Sequence, residues 1–164
     1  MFKITEMQQT EPEEEYQKLQ KKYSLPSLKE LANNFGVPSS SGAILNDVME
    51  SMLEKIAENA KMLESMVFVN NSASISDMYE NQMLNDEEKL FEFYKGLMSM
   101  HWEGRKVKIN GKEEEMAEFI KKANKKWEKD VKPVLLKLCD SLNKGWKEAE
   151  LHNSESDSNM TYHG

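Results

Sequence analysis

Between residues 85 and 150, large apolar residues recur at helical spacing and almost no other periodicity is present. Leu90, Tyr94, Leu97 and His101, for example, follow one another at steps of four, three and four residues. Such spacing places an apolar stripe along one side of a helix, which amphipathic helices bury against each other. The sequence therefore predicts an all-α fold: an antiparallel helical bundle of four to five main helices plus a short end-packing helix.

Capping residues and breaks in the pattern set the expected helix boundaries. Three capping boxes mark predicted helix starts, and they are Thr10 with Glu13, Ser27 with Glu30, and Asn85 with Glu88. The second box opens the short end-packing helix, and a long helix is expected from about residue 43 to residue 67. The helix that opens at Asn85 is expected to run to about Trp102. In residues 104–111, polar and apolar side chains alternate up to an Asn-Gly pair, which suggests extended structure. Because a helix follows directly, this segment is predicted to connect two helices.

Pro133 lies inside a helical pattern that otherwise continues from about residue 112. Proline lacks a backbone N–H, and its ring clashes with the preceding helical turn. Either the helix kinks at this point, or Asp130 caps a new helix with Pro133 in its first turn. The second interpretation is favoured.

The length of 164 residues predicts one domain. We place a single helical domain at residues 1–150. Residues 151–164 are rich in Ser, Asn, Asp and His with little apolar content, and a disordered acidic tail is predicted there.

The expected location of the protein is cytoplasmic, without membrane contact. No stretch approaches the roughly 18 apolar residues of a membrane span, and the N-terminus lacks the apolar core of a secretory signal. Cys139 is the only cysteine, so neither an internal disulfide nor a cysteine-based metal site is expected. The sequence predicts no cofactor and no metal.

No catalytic motif is found in the sequence. A di-metal bundle needs Glu-x-x-His motifs on two helices, and none occurs. His101 has Leu97 and Met98 one turn upstream where a partner acid would stand, so a structural histidine is favoured. An enzyme with a site in a bundle cleft around His101 is only the third hypothesis, and the sequence predicts a protein that is not an enzyme.

Basic residues are concentrated in the last third of the chain. Residues 105–147 carry thirteen Lys and Arg against seven Asp and Glu, although the whole chain has a net charge of −7. Six lysines fall on one helix face and could contact nucleic-acid phosphates, namely Lys121, Lys122, Lys125, Lys126, Lys129 and Lys132. Because acidic residues are interleaved with them, a solvated face is favoured over a nucleic-acid interface.

The favoured function is therefore association: a helical interaction or subunit protein that self-associates, as a homo-oligomer, or acts as an adaptor for a protein partner. Trp102 and Trp146 lie near predicted helix ends and are the candidate interface residues, since large aromatics often anchor interfaces. A nucleic-acid-associated protein that uses the Lys121–Lys132 face is the alternative.

Overall fold

The computed structural model describes residues 11–36, 42–68 and 86–157, with side chains as far as residue 147. The helices within these ranges are α1 (Glu11–Tyr23), α2 (Leu28–Phe35), α3 (Ile44–Phe68), α4 (Glu87–Asn110), α5 (Glu113–Lys126) and α6 (Lys132–Asp157). One π-helical turn, Trp127–Val131, joins α5 to α6 without a break. Counted with α5, the π-helical turn and α6 as one continuous helix, the described residues form five helices and no strand, which confirms the predicted all-α bundle.

Helices α3 and α4 form the central antiparallel pair. Near the start of α3, Glu50 forms ion pairs with Arg105 and Lys108, which lie near the end of α4. At the other end of the pair, Phe68 of α3 meets Phe91 of α4 edge to face, with ring centroids 6.5 Å apart. The two sets of contacts hold both ends of the pair together.

The core is built around α3. The side chains that are almost completely buried come from five of the helical segments and are Tyr16, Met49, Met52, Leu53, Ile56, Leu63, Leu97, Ile120 and Leu138. Met49, Met52, Ile56 and Leu63 of α3 recur at steps of three, four and seven residues, as the sequence pattern predicts, and Leu53 adds to the same buried side. Burying each such side chain contributes about 1.5–3 kcal/mol of transfer free energy, so the packing of α3 dominates the stability of the bundle.

Helix α4 is longer than the sequence pattern predicts. It begins after Asp86, whose side chain accepts a hydrogen bond from the Lys89 N–H, and not at an Asn85 cap. It continues through the predicted connector and ends at Gly111, which has φ +69° and donates its N–H to the Val107 carbonyl. The connector prediction for residues 104–111 is therefore wrong. The Asn-Gly pair ends a helix through the left-handed conformation of its glycine.

Pro133 does not restart the helix, which continues into it through the π-helical turn. The Lys132 N–H bonds to the Trp127 carbonyl five residues earlier, so the helix widens by one residue just before the proline. An α-helical turn there would press the proline ring against the Lys129 carbonyl, and the wider π turn gives the ring room. Asp130 lies inside this turn and caps nothing, so the favoured interpretation of a new helix is wrong.

Helix α2 packs against α3 and contacts the end of α5. The Ser27 hydroxyl accepts a hydrogen bond from the Glu30 N–H at 3.1 Å, which confirms the predicted cap. Phe35 at its other end packs against Trp127 with ring centroids 5.0 Å apart. The cap stabilises the start of α2, and the Phe35–Trp127 contact holds its end against the π-helical turn.

The backbone of α6 is helical through Asp157, seven residues into the segment predicted as a tail. Residues 158–164 lie outside the described residues, and so do the side chains from residue 148 onward. The disordered acidic tail stays a prediction there. None of the described helices is both long enough and apolar enough to cross a bilayer.

Candidate interaction surface

Helix α4 carries a second apolar face, which contacts Phe68 of α3 at its Phe91 end and points away from the bundle at Trp102 and Ile109. Phe91, Met98, Trp102 and Ile109 follow one another at steps of seven, four and seven residues. At 100° per residue these positions fall within about 40° of one another around the helix axis. We call these four residues the outer stripe. Helix α4 therefore presents apolar residues both to the core and to the outside.

The outer stripe is open to solvent over most of its length. Trp102 is 61% exposed and Ile109 is 85% exposed, while Phe91 is 41% exposed and Met98 is half-buried. The residues of α4 that are buried in the core, such as Leu97, lie more than 90° away around the axis. Among the described residues, nothing covers most of Trp102 and Ile109, whereas Phe91 contacts Phe68 and Met98 packs partly against the core.

The structure places one of the two predicted interface residues, Trp102, at the middle of this stripe. The prediction did not include Phe91 and Ile109. Their spacing from Trp102 is visible in the sequence, but Ile109 lies in the segment predicted as a connector, and that assignment concealed the stripe.

Trp146, the other predicted interface residue, lies on the far part of α6 and is 65% exposed. Leu136 on the same helix is also exposed, at 58%. The two residues are ten positions apart, which corresponds to a rotation of about 80° around the helix axis. These two side chains therefore do not line up as the outer stripe of α4 does.

The six predicted phosphate-contacting lysines divide into two groups. Lys121 pairs with Glu118, Lys122 with Glu103, and Lys132 with Glu128. Each of these three pairs brings the nitrogen and oxygen within 4 Å.

The other three lysines of the face are Lys125, Lys126 and Lys129, which are exposed and have no carboxylate within ion-pair distance among the described residues. Half of the predicted face is thus neutralised by neighbouring carboxylates. This arrangement favours the solvated face over a phosphate-binding surface.

A polar cluster fixes α2 to α5 beneath an open groove of about 560 Å³. The Asn34 amide donates to Asn124 Oδ1 at 3.0 Å, and the Asn124 amide donates to Glu30 Oε1 at 2.9 Å. Both asparagines are about 5% exposed. Lys132 Nζ completes the cluster by donating to Asn34 Oδ1 at 3.4 Å. These hydrogen bonds satisfy the two buried amides, so the role of the cluster is to hold α2 against α5.

His101 lies between α3 and α4 and does not line that groove. Its Nδ1 is buried without a hydrogen-bond partner. Burial lowers the pKa of the imidazole from 6.5, a hydrogen bond to the Leu53 backbone opposes this, and the charge of Arg105 lowers it further. The nearest charged group that affects the ring is thus a cation. A general base usually has a carboxylate beside it that raises its pKa, and no carboxylate shifts the pKa of His101, so this geometry favours a structural histidine.

The lowered pKa of His101 predicts a pH-dependent stability. Between its unfolded value near 6.5 and its lower folded value, the unfolded chain binds more protons, so stability falls as the pH falls through this window. We expect the His101→Gln variant to lose less stability than the parent protein between pH 7.5 and pH 5.5. Urea unfolding at both pH values measures the difference. Identical pH dependence in the two proteins would contradict the assignment.

Comparison with known proteins does not add a functional assignment. No protein-family model, curated protein or solved structure matches the chain. Among the described residues, no group of three or more His, Cys, Asp or Glu side chains could hold a metal ion.

Proposed function

We propose that this chain is a non-catalytic interaction protein that associates through the outer stripe of α4. The observation that supports this is the alignment of Phe91, Met98, Trp102 and Ile109 along one side of α4, with Trp102 and Ile109 mostly in water. Single exposed apolar residues are common on protein surfaces, but an aligned set on a rigid helix is characteristic of an interaction site.

The composition of the outer stripe also fits an interface. Tryptophan is among the residues that contribute most to binding free energy, and it does so near the centre of an interface surrounded by other apolar contacts. Trp102 has this position, with Met98 one turn before it and Ile109 two turns after it. Helix-in-groove and helix-pair recognition both use anchors at such spacing.

Site-specific photo-crosslinking tests the proposal. A photoreactive amino acid replaces Trp102 in the full chain, expressed in the cells from which the protein comes. Leu136 serves as the matched control position, because it is an equally exposed apolar residue on a different helix. We expect discrete covalent adducts from position 102, at several times the yield from position 136.

The adducts can contain either a second copy of the chain or another protein, and both results support association through α4. Equal yields at the two positions would show non-specific apolar contact and would contradict the proposal. An absence of adducts at position 102 would contradict it as well.

A further inference from the structure

We infer that the outer stripe of α4 pairs with the same stripe of a second copy of this chain, with the two helices antiparallel. The local two-fold axis then crosses the outer stripe at the level of position 100, midway between Met98 and Trp102. This inference rests on the proposed function, since it names the partner of that same surface. It is carried by the spacing of the stripe and by the distribution of charge along α4.

The outer stripe is symmetric about position 100. Phe91 and Ile109 each lie nine residues from it, and Met98 and Trp102 each lie two residues from it. In an antiparallel pair centred at this position, Phe91 faces Ile109 of the partner subunit, and Met98 faces Trp102 of the partner subunit. Every stripe residue then meets a stripe residue, as a self-complementary two-fold interface requires.

The charge along α4 favours the antiparallel direction over the parallel one. Residues 87–98 contain three acidic and two basic residues, whereas residues 101–110 contain one acidic and three basic residues. Antiparallel pairing brings the acidic half of each helix to the basic half of the other. Parallel pairing would place the two basic halves together, and it would also align the two helix dipoles unfavourably.

One like-charge contact arises in this register, between Lys95 and Arg105 of the partner subunit. Both cations have carboxylates within their own chain. Lys95 pairs with Glu92 at 3.7 Å, and Arg105 pairs with Glu50 at 3.4 Å. These internal ion pairs reduce the repulsion, so the register is compatible with the charges along its edges.

The size of the stripe indicates a reversible dimer. From Phe91 to Ile109 the helix rises by about 27 Å. A single helix pair of this length falls at the low end of specific interfaces, at about 1,200 Å² in total. The dimer population should therefore rise with protein concentration.

Disulfide cross-linking between two single-cysteine variants tests the direction and the register. Both variants carry Cys139→Ser, which removes the native thiol; one also carries Phe91→Cys and the other Ile109→Cys. In the antiparallel dimer, positions 91 and 109 of the two copies are adjacent, whereas two equivalent positions are about 27 Å apart. A disulfide needs Cα atoms within about 7 Å. The two variants are mixed, unfolded and refolded together so that mixed dimers form. We expect this mixture to form at least about tenfold more disulfide-linked dimer than either variant alone.

Each other outcome overturns part of the inference. Efficient cross-linking of each variant alone would show a parallel pair. If the mixture does not cross-link while position 102 forms photo-adducts with a different protein, the inference of self-association is wrong, but the proposed association through α4 still holds. If both experiments give nothing, the inference and the proposed function fail together.

A second measurement does not depend on new cysteines. Light scattering over a range of concentrations gives the dimer dissociation constant of the parent protein and of two variants. We expect Trp102→Lys to raise this constant at least about tenfold, because each dimer loses two central anchors. Leu136→Lys should leave it unchanged. A monomer at every concentration, or an equal effect of both variants, would overturn the inference.

Discussion

Replacing Asn124 with alanine should lower the free energy of unfolding by about 2–4 kcal/mol. Asn124 joins α5 to α2 by accepting from the Asn34 amide and donating to Glu30. Its loss removes both hydrogen bonds and leaves the Asn34 amide donor buried without an acceptor. An unsatisfied buried donor costs about 1–3 kcal/mol, which is more than the net value of the bond itself.

Urea unfolding of the parent and variant proteins measures this effect. Asn143→Ala is the matched control, because Asn143 is an exposed asparagine on α6, and a change within about 0.5 kcal/mol is expected there. The combined Asn34→Leu and Asn124→Leu variant should be less destabilised than the sum of its single substitutions, since no amide is then left unpaired. Additive effects, or a loss below about 1 kcal/mol for Asn124→Ala, would contradict the hydrogen-bonded pair.

The residues that could be predicted from the sequence are those whose role depends on local periodicity. The buried stripe of α3 recurs at helical steps, and the Ser27 cap precedes its helix by a fixed offset, so both are visible within a window of a few residues. The Asn34–Asn124 pair joins residues 90 positions apart. No local pattern distinguishes these two asparagines from the exposed ones, so the pair could be found only from the structure.

The errors in helix boundaries have a common physical origin. Glycine and proline usually end helices, because glycine is flexible and proline lacks a donor. At Gly104, close packing against α3 and α5 keeps the chain helical. At Pro133, the wider π-helical turn before it makes room for the proline ring. The error at Gly104 affected the functional prediction too, because it ended α4 before Ile109 and reduced the outer stripe to an isolated Trp102.

Gly104→Ala should destabilise the protein by about 1–3 kcal/mol, although alanine favours helices more than glycine does. Gly104 is buried where α4 meets α3 and α5. A Cβ at this position would come within 2.6 Å of Phe119 Cζ and closer still to a Leu53 methyl carbon. Leu53 is fully buried and Phe119 is almost so, which leaves both side chains little room to move.

The same substitution at Gly96 provides the matched control, because Gly96 lies in the same helix and an added Cβ there meets nothing within 4 Å. Gly96→Ala should stabilise the protein by up to about 1 kcal/mol through helix propensity alone, so the two substitutions are expected to have opposite signs. Thermal or urea unfolding measures both. Adding Leu53→Ala to Gly104→Ala should cost less than the two single effects summed, because the shortened side chain makes room for the new methyl group. If Gly104→Ala instead stabilises α4 as Gly96→Ala does, the close approach of the three helices is wrong. Gly104 would then not face the core, and the outer stripe would not lie on the opposite side of α4.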